Sequence, residues 1–308
     1  MLSPAVALLA PELVAMTLLS WDATSSIRPT LEKRQTRRAS QATALPPSNG
    51  AAIKQLRQLR LSCGEPRHEA PQSGDIYKAL VASGIFSRTS PDAVSALSKR
   101  LARVRFAPGC VVDAQRDAGG RLYVIISGKV KVSYRLPDGS EIILTILGPS
   151  EIFGVIRLFD PTAQETSVTT LTDVLAAPIE HDQLRMWMVD HPEISDQLMR
   201  LFARWANATT NSLADFAFVD AQARIANRLL FLRKRFGRRE GDVVRVVHDL
   251  TLKDFSRLVG VAPKTILATL SDFENRGWIR LEHNSVVVVD GQALASVSRT
   301  SFSEVSNA

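Results

Sequence analysis

The chain reads as an α+β protein: a roll, barrel or sandwich of short strands, then a long central helix, then a C-terminal winged helix-turn-helix. Three observations predict this. Short β-type runs alternate with turn signals between Asp75 and Pro178, an apolar stripe runs from Leu198 to Val219, and Thr251–Glu282 reads TLKDFSRLVGVAPKTILATLSDFENRGWIRLE. With 308 residues and 45% hydrophobic content, the chain can bury two modest cores.

Residues 1–74 carry Pro, Ser, Thr and Ala clusters and the basic stretch Lys33, Arg34, Arg37 and Arg38. They are expected to be a disordered extension with a short helix around Ala51–Leu61. Ala5–Leu19 is broken by Pro11 and Glu12 and follows no basic leader, so no secretory signal is expected. No run of about 18 apolar residues occurs, which predicts a soluble, cytoplasmic chain that does not enter a membrane. The net charge of +7 sits at the two ends, while residues 76–219 are neutral, as expected of a polyanion-binding module joined to one that binds no polyanion. Cys63 and Cys110 are too few for a disulfide framework or a four-thiolate cluster and are expected as reduced thiols.

Residues 75–192 form the predicted roll. A short helix over Ile76–Ser83 leads into runs at Arg103–Phe106, Tyr123–Ser127, Val130–Arg135, Glu141–Leu147, Ser167–Thr172 and Val174–Pro178. Turn residues Pro108-Gly109, Gly128, Pro137-Asp138-Gly139 and Gly148-Pro149 separate them. Residues 193–219 follow as a helix whose apolar or small residues recur at intervals of three and four. Such a stripe suits a two-stranded seam, which predicts a homodimer with Leu198, Phe202, Trp205, Thr209 and Phe216 at the interface. Packing of the stripe on the chain's own roll is the competing reading.

Residues 220–295 hold the winged helix-turn-helix, and 296–308 are expected as a flexible tail. A helix from Asp220 to about Arg235 ends at Gly237, and a strand follows at Val243–Val247. Thr251 and Asp254 have capping-box spacing, Gly260 stands where the turn needs positive φ, and Pro263 suits the first turn of the second helix. The strands WIRLE and SVVVVD, joined by His283-Asn284, make the wing. Double-stranded DNA would meet Thr251, Arg257, Ala262, Pro263, Lys264, Thr265, Ala268, Thr269, Arg276 and Arg280. Lys264 and Thr265 are the foremost base-edge readers, while Arg257, Arg276 and Arg280 address phosphates. An enzyme is not expected. His68, His181, His191, His248 and His283 lack metal-ligand spacing, and neither a phosphate-cradling Gly-rich loop nor Gly-x-Ser-x-Gly occurs.

The chain resembles the cAMP receptor protein and fumarate-nitrate regulator superfamily, most closely its actinobacterial cAMP-responsive branch, from about Ile76 to Asp290. The resemblance rests on GIF at Gly84, RLYVIISGKVKVS at Arg121, PDG at Pro137, LGPSEIFG at Leu147 and LFDP at Leu158. SLADF at Ser212, RFG at Arg235, HDLT at His248 and RGWIRLE at Arg276 complete it. It implies a cyclic-nucleotide-binding β-roll, a central dimerisation helix, a winged helix and contact with RNA polymerase. It also implies an effector site at Gly154, Val155, Ile156, Arg157, Gln164, Glu165, Thr209 and Thr210. No cofactor is required on this reading, and cAMP is the first effector candidate.

Two departures from the family pattern stand out. Val155 occupies the place of the ribose-binding Glu and Gln164 that of the phosphate-binding Arg, with Glu165 beside it. Losing a charge-assisted phosphate contact weakens binding by about 1.5–3 kcal/mol, and Arg157 is the nearby cation that could substitute. The recognition helix has Pro263, Lys264 and Ala268 where relatives present Arg-Glu and a further basic residue, which predicts a different operator. The alternative keeps DNA binding without cAMP: a constitutive regulator, or one sensing another ligand or the redox state of Cys110.

Overall fold

The computed structural model describes residues 67–69, 73–112, 120–136, 138–154 and 166–305. Strand β1 (Arg67–Glu69) precedes helices α1 (Ser73–Ala82) and α2 (Pro91–Arg100). The roll strands are β2 (Arg103–Phe106), β3 (Val111–Val112), β4 (Arg121–Ser127), β5 (Val130–Arg135), β6 (Glu141–Leu147), β7 (Ile152–Phe153), β8 (Thr166–Thr170) and β9 (Val174–Glu180). They pair into two sheets, ordered β1-β2-β9-β4-β7 and β3-β8-β5-β6. Between the sheets lie Phe106, Tyr123, Ile125, Val130, Leu147, Phe153 and Val174, with the Tyr123 and Phe153 rings stacked at 4.9 Å. Leu122 and Val124 face the opposite way, into a second core with α1 and α2. Strand β4 is therefore buried on both faces, which is why LYVII carries no polar alternation.

The extension is corrected at one place: β1 pairs antiparallel with β2, so Arg67–Glu69 is an ordered edge strand. The predicted helix at Ala51–Leu61 lies outside the described residues. Cys110 is also corrected. It is buried in the roll and its sulfur is disulfide-bonded rather than a free thiol. Among the described residues no helix is long and apolar enough to cross a membrane, and no His, Cys, Asp or Glu cluster could hold a metal.

Helix α3 (His181–Asp190) turns at His191 into α4 (Pro192–Phe218). Pro192 at the first helical position costs no hydrogen bond, since that amide has no partner in the helix. The interface stripe is corrected at its first residue, while Phe202, Trp205 and Phe216 keep part of their surface exposed and Thr209 is exposed. Leu198 is 2% exposed inside the chain's own core, Phe202 and Trp205 pack against the same core, and Phe216 packs on Gly260. Among the described side chains of α4, Ala203, Arg204 and Ala206–Asn211 are exposed, which includes Thr209.

Beyond α4 come α5 (Ala221–Phe236), β10 (Gly237–Glu240), β11 (Val243–Val247), α6 (Leu252–Val259), α7 (Pro263–Asn275), β12 (Ile279–Glu282), β13 (Ser285–Val288) and α8 (Gly291–Val305). The Asp220 carboxylate caps α5 by accepting from the Ala223 N–H at 2.8 Å. The strands form a sheet ordered β10-β11-β13-β12. The expected tail from residue 296 is corrected, because α8 continues to Val305, with Leu294 buried and Val297 packed on the domain core.

The roll and the helix-turn-helix share one core, and a bulge makes this possible. Val132 stands opposite Thr145 and Ser133 opposite Ile143, so Leu144 has no partner on β5. An extra residue shifts the side-chain phase by one. Ile143 and Ile146, three apart, therefore face the same way and join Ile225, Leu229, Phe255 and Leu258 in a single apolar cluster. Lys131 stands opposite Ile146 and so shares that face, as does Lys129 two residues earlier. Lys129 donates to the Asp249 carboxylate at 2.6 Å and to the Val247 carbonyl, and Lys131 donates to Asp254 at 2.6 Å.

His248 sits in the connection that Lys129 staples. Its Nδ1 accepts from the Leu250 N–H at 3.0 Å, so the imidazole there is neutral. Burial holds this imidazole below its ordinary range; Asp249 opposes the effect and Lys129 adds to it. A depressed imidazole value means the unfolded chain binds the proton more readily. Stability is thus full above the ordinary value of 6.5 and is lost as the pH falls through the lower folded value. Urea unfolding at pH 7.5 and 5.5 should show lower stability at pH 5.5. His248→Asn, whose amide oxygen can replace Nδ1 as acceptor, should reduce that loss, and an equal loss in both proteins would contradict this assignment.

Candidate nucleic-acid interface and effector site

The helix-turn-helix is built by local rules. The Thr251 hydroxyl accepts from the Asp254 N–H at 3.1 Å, and the Asp254 carboxylate accepts in return from the Thr251 N–H at 3.2 Å and hydroxyl at 2.6 Å. This reciprocal cap starts α6. Gly260 ends it at φ 68°, and a methyl group there would collide with the Phe216 ring. Both the left-handed backbone and the close approach of α4 therefore call for glycine. Val261 is buried in the angle, and its carbonyl accepts from the Ser256 hydroxyl at 2.6 Å.

Helix α7 buries Ile266, Leu270 and Phe273, whose spacing of four and three makes one stripe. The opposite face leaves Ala262, Pro263, Lys264, Thr265 and Ala268 exposed, with Thr269 half-buried at its margin. Leu267 lies on the same outer face at 52% exposure. Sequence reasoning passed over it because leucine reads as core. Its offset from Ile266 and Leu270 was the available signal. The start of α7 carries no side-chain cap.

The flanking cations differ in their freedom. Arg280 on the wing is 59% exposed, 3.7 Å from Glu282. Arg276 is held by Asp272 at 2.9 Å, with its guanidinium 5.0 Å from the Trp278 ring centre. Arg257 departs from its expected place: its guanidinium pairs with Glu141 of the roll instead of standing clear for a phosphate. The Thr251 hydroxyl is likewise committed to its cap. The Asp254 carboxyl is pushed up by burial, but Lys131 and Thr251 together outweigh this and hold it below the usual carboxylate range. It therefore remains an anion that ties α6 to β5.

Of the residues expected at an effector site, Gly154 follows β7 at φ 85°, where a methyl group would strike the Arg121 carbonyl. Val155, Ile156, Arg157, Gln164 and Glu165 lie outside the described residues. Thr209 and Thr210 stand exposed on α4, their hydroxyls donating to the Trp205 and Ala206 carbonyls at 2.9 and 3.0 Å. Sequence reasoning missed Lys129, Lys131 and Glu141, which join the roll to the β11–α6 connection and to α6. The alternation Lys129-Val130-Lys131-Val132 was their signal, since it marks a strand with one polar face.

Comparison with known proteins agrees with this architecture. Residues 103–191 match the cyclic nucleotide-binding domain model and residues 223–297 the Crp-like helix-turn-helix domain model. The "CRP-like cAMP-activated global transcriptional regulator" of Mycobacterium tuberculosis is 48% identical over 220 residues, 71% of this chain and 98% of that protein. The Haemophilus influenzae "cAMP-activated global transcriptional regulator CRP" is 29% identical over 186 residues, 59% of this chain and 81% of that protein. The solved structure of FixK2 from Bradyrhizobium japonicum shares the fold, with a TM-score of 0.57 at 15% identity over 64% of this chain and 96% of that one. The chain belongs to the CRP family of DNA-binding transcription regulators.

Proposed function

We propose that the chain is a homodimeric regulator that reads a two-half-site operator with the outer face of α7 and works with RNA polymerase in the cytoplasm, where the chromosome lies. The observation that carries this reading is the division of α7: Ile266, Leu270 and Phe273 anchor it, while Lys264, Thr265, Leu267 and Ala268 stand clear. A helix so mounted fits the major groove with its first turn at the base edges. Lys264 donates to guanine or to a phosphate, Thr265 reads either base type, and Leu267 and Ala268 suit a thymine methyl group. Arg276 and Arg280 serve phosphates, and the uncapped amides at the start of α7 favour an anion. The exposed face of α4, with Thr209 and Thr210, is the surface for the second copy, which would set two recognition helices about one helical turn of DNA apart.

The effector is a ligand of the roll, and cAMP is first to test because the Mycobacterium tuberculosis relative is described as cAMP-activated. The residues fit a cyclic nucleotide in part. Gly154 permits the tight turn after β7, and the two threonines offer hydroxyls. Val155 and Gln164 supply neither the carboxylate nor the guanidinium of the usual cassette. Binding would shift the population toward one spacing of the recognition helices.

Selection from random duplexes should return a two-fold symmetric site. Lys264→Ala should cost about 1–3 kcal/mol and relax preference at one position of each half-site. Arg280→Ala should weaken all sequences alike and lower the salt slope by about 1 for each phosphate it no longer neutralises. A monomer without sequence preference would refute the reading. Calorimetry with cAMP, with and without operator, should give equal mutual enhancement. Operator affinity identical at zero and saturating cAMP would return the effector question to a cAMP-independent regulator.

A further inference from the structure

We propose that the pair between Glu141 on β6 and Arg257 on α6 is an autoinhibitory lock, which holds the helix-turn-helix against the roll and withholds a cation from the DNA phosphates. This deepens the reading of α6, α7 and the wing as the operator-binding surface, and rests on it.

Arg257 is an exposed-helix residue by sequence, four residues after Lys253 and between the buried Phe255 and Leu258. Its side chain is nevertheless only 28% exposed and that of Glu141 19%, because the two meet where α6 crosses the sheet. Charge-assisted hydrogen bonds in such partly desolvated places are stronger than surface ion pairs. The neighbouring pair Lys131–Asp254, at 2.6 Å with side chains 14% and 11% exposed, fastens the same helix through its own N-terminal cap. Both roll residues share the strand face that carries Ile143 and Ile146, so the polar fastening and the apolar contact close together.

The electrostatic consequence decides the sign. A guanidinium neutralised by a carboxylate displaces no counterion from DNA, and Glu141 itself repels an approaching phosphate. Freed from Glu141, Arg257 adds one cation to the first helix of the DNA-binding motif. If the pair were instead a strut that positions α6 for DNA, breaking it would weaken binding. The two roles therefore predict opposite changes.

The test uses the full-length chain without effector, its selected operator duplex as the probe, and anisotropy titrations at several salt concentrations. Glu141→Gln, nearly isosteric, should tighten binding roughly three- to tenfold and steepen the log affinity against log salt slope by about 0.9. Arg257→Gln in the Glu141→Gln background should remove both gains. Arg257→Gln alone should keep the wild-type slope, because the locked arginine contributes no phosphate contact. That comparison does not require the Glu141 variant to fold. Unchanged or weaker binding by folded Glu141→Gln, or a slope that drops by about one in Arg257→Gln alone, would overturn the lock. Failure of the wild-type chain to bind any duplex would instead defeat the operator-binding reading on which the lock rests.

Discussion

Ile143 and Ile146 serve two domains at once. They lie on a roll strand, yet their side chains fill the core of the helix-turn-helix beside Leu229 and Leu258. Only the unpaired Leu144 between them lets both point the same way. A register without this bulge would send one isoleucine into the roll and leave a hole beneath α6. Removing a buried isoleucine side chain to alanine costs about 2–5 kcal/mol, a large part of what holds a domain of this size together. The orientation of the helix-turn-helix is thus a packing property of the roll.

The polar contacts around this core supply direction more than net stability. Burying charged pairs costs desolvation that their attraction only roughly offsets. What Lys129, Lys131 and Glu141 contribute is a particular seating: Lys129 bonds to Val247 and Asp249 at the end of β11 and just beyond it, and Lys131 and Glu141 bond to Asp254 and Arg257 on α6. Asp249 takes up φ 53°, a conformation that aspartate tolerates better than most residues, while bonded to Lys129. Strand β5, which carries Lys131 and follows directly on Lys129, also pairs with β8.

Much of this architecture was legible in the sequence itself. The capping box at Thr251 and Asp254, the left-handed Gly260, the Pro263 start and the two-residue wing turn each follow from a local rule, and local rules survive translation into structure. The exposed face of α7 followed from helical period alone, except at Leu267, where hydrophobicity suggested burial that the period denied. The α4 stripe shows a related limit of periodicity. Period identifies an apolar face but not what covers it: Leu198 is buried within its own chain, whereas Phe202 and Phe216 are covered by it only in part. Strand β10 was invisible because Gly237–Glu240 is exposed throughout and has no apolar alternation. The end of α8 was read as tail because Ser and Thr dominate it, although Leu294 and Val297 anchor its first turns. Arg257 could not be placed from sequence at all, since its partner lies 116 positions away.

The shared core is most directly tested by hydrogen exchange on the full-length chain carrying Ile146→Ala. The account predicts faster amide exchange not only in β5 and β6 but across α5 and α6, whose buried residues share one apolar cluster with that side chain. Faster exchange confined to the roll strands, with α5 and α6 protected as in the wild type, would show that the helix-turn-helix holds its place without the roll and would contradict it.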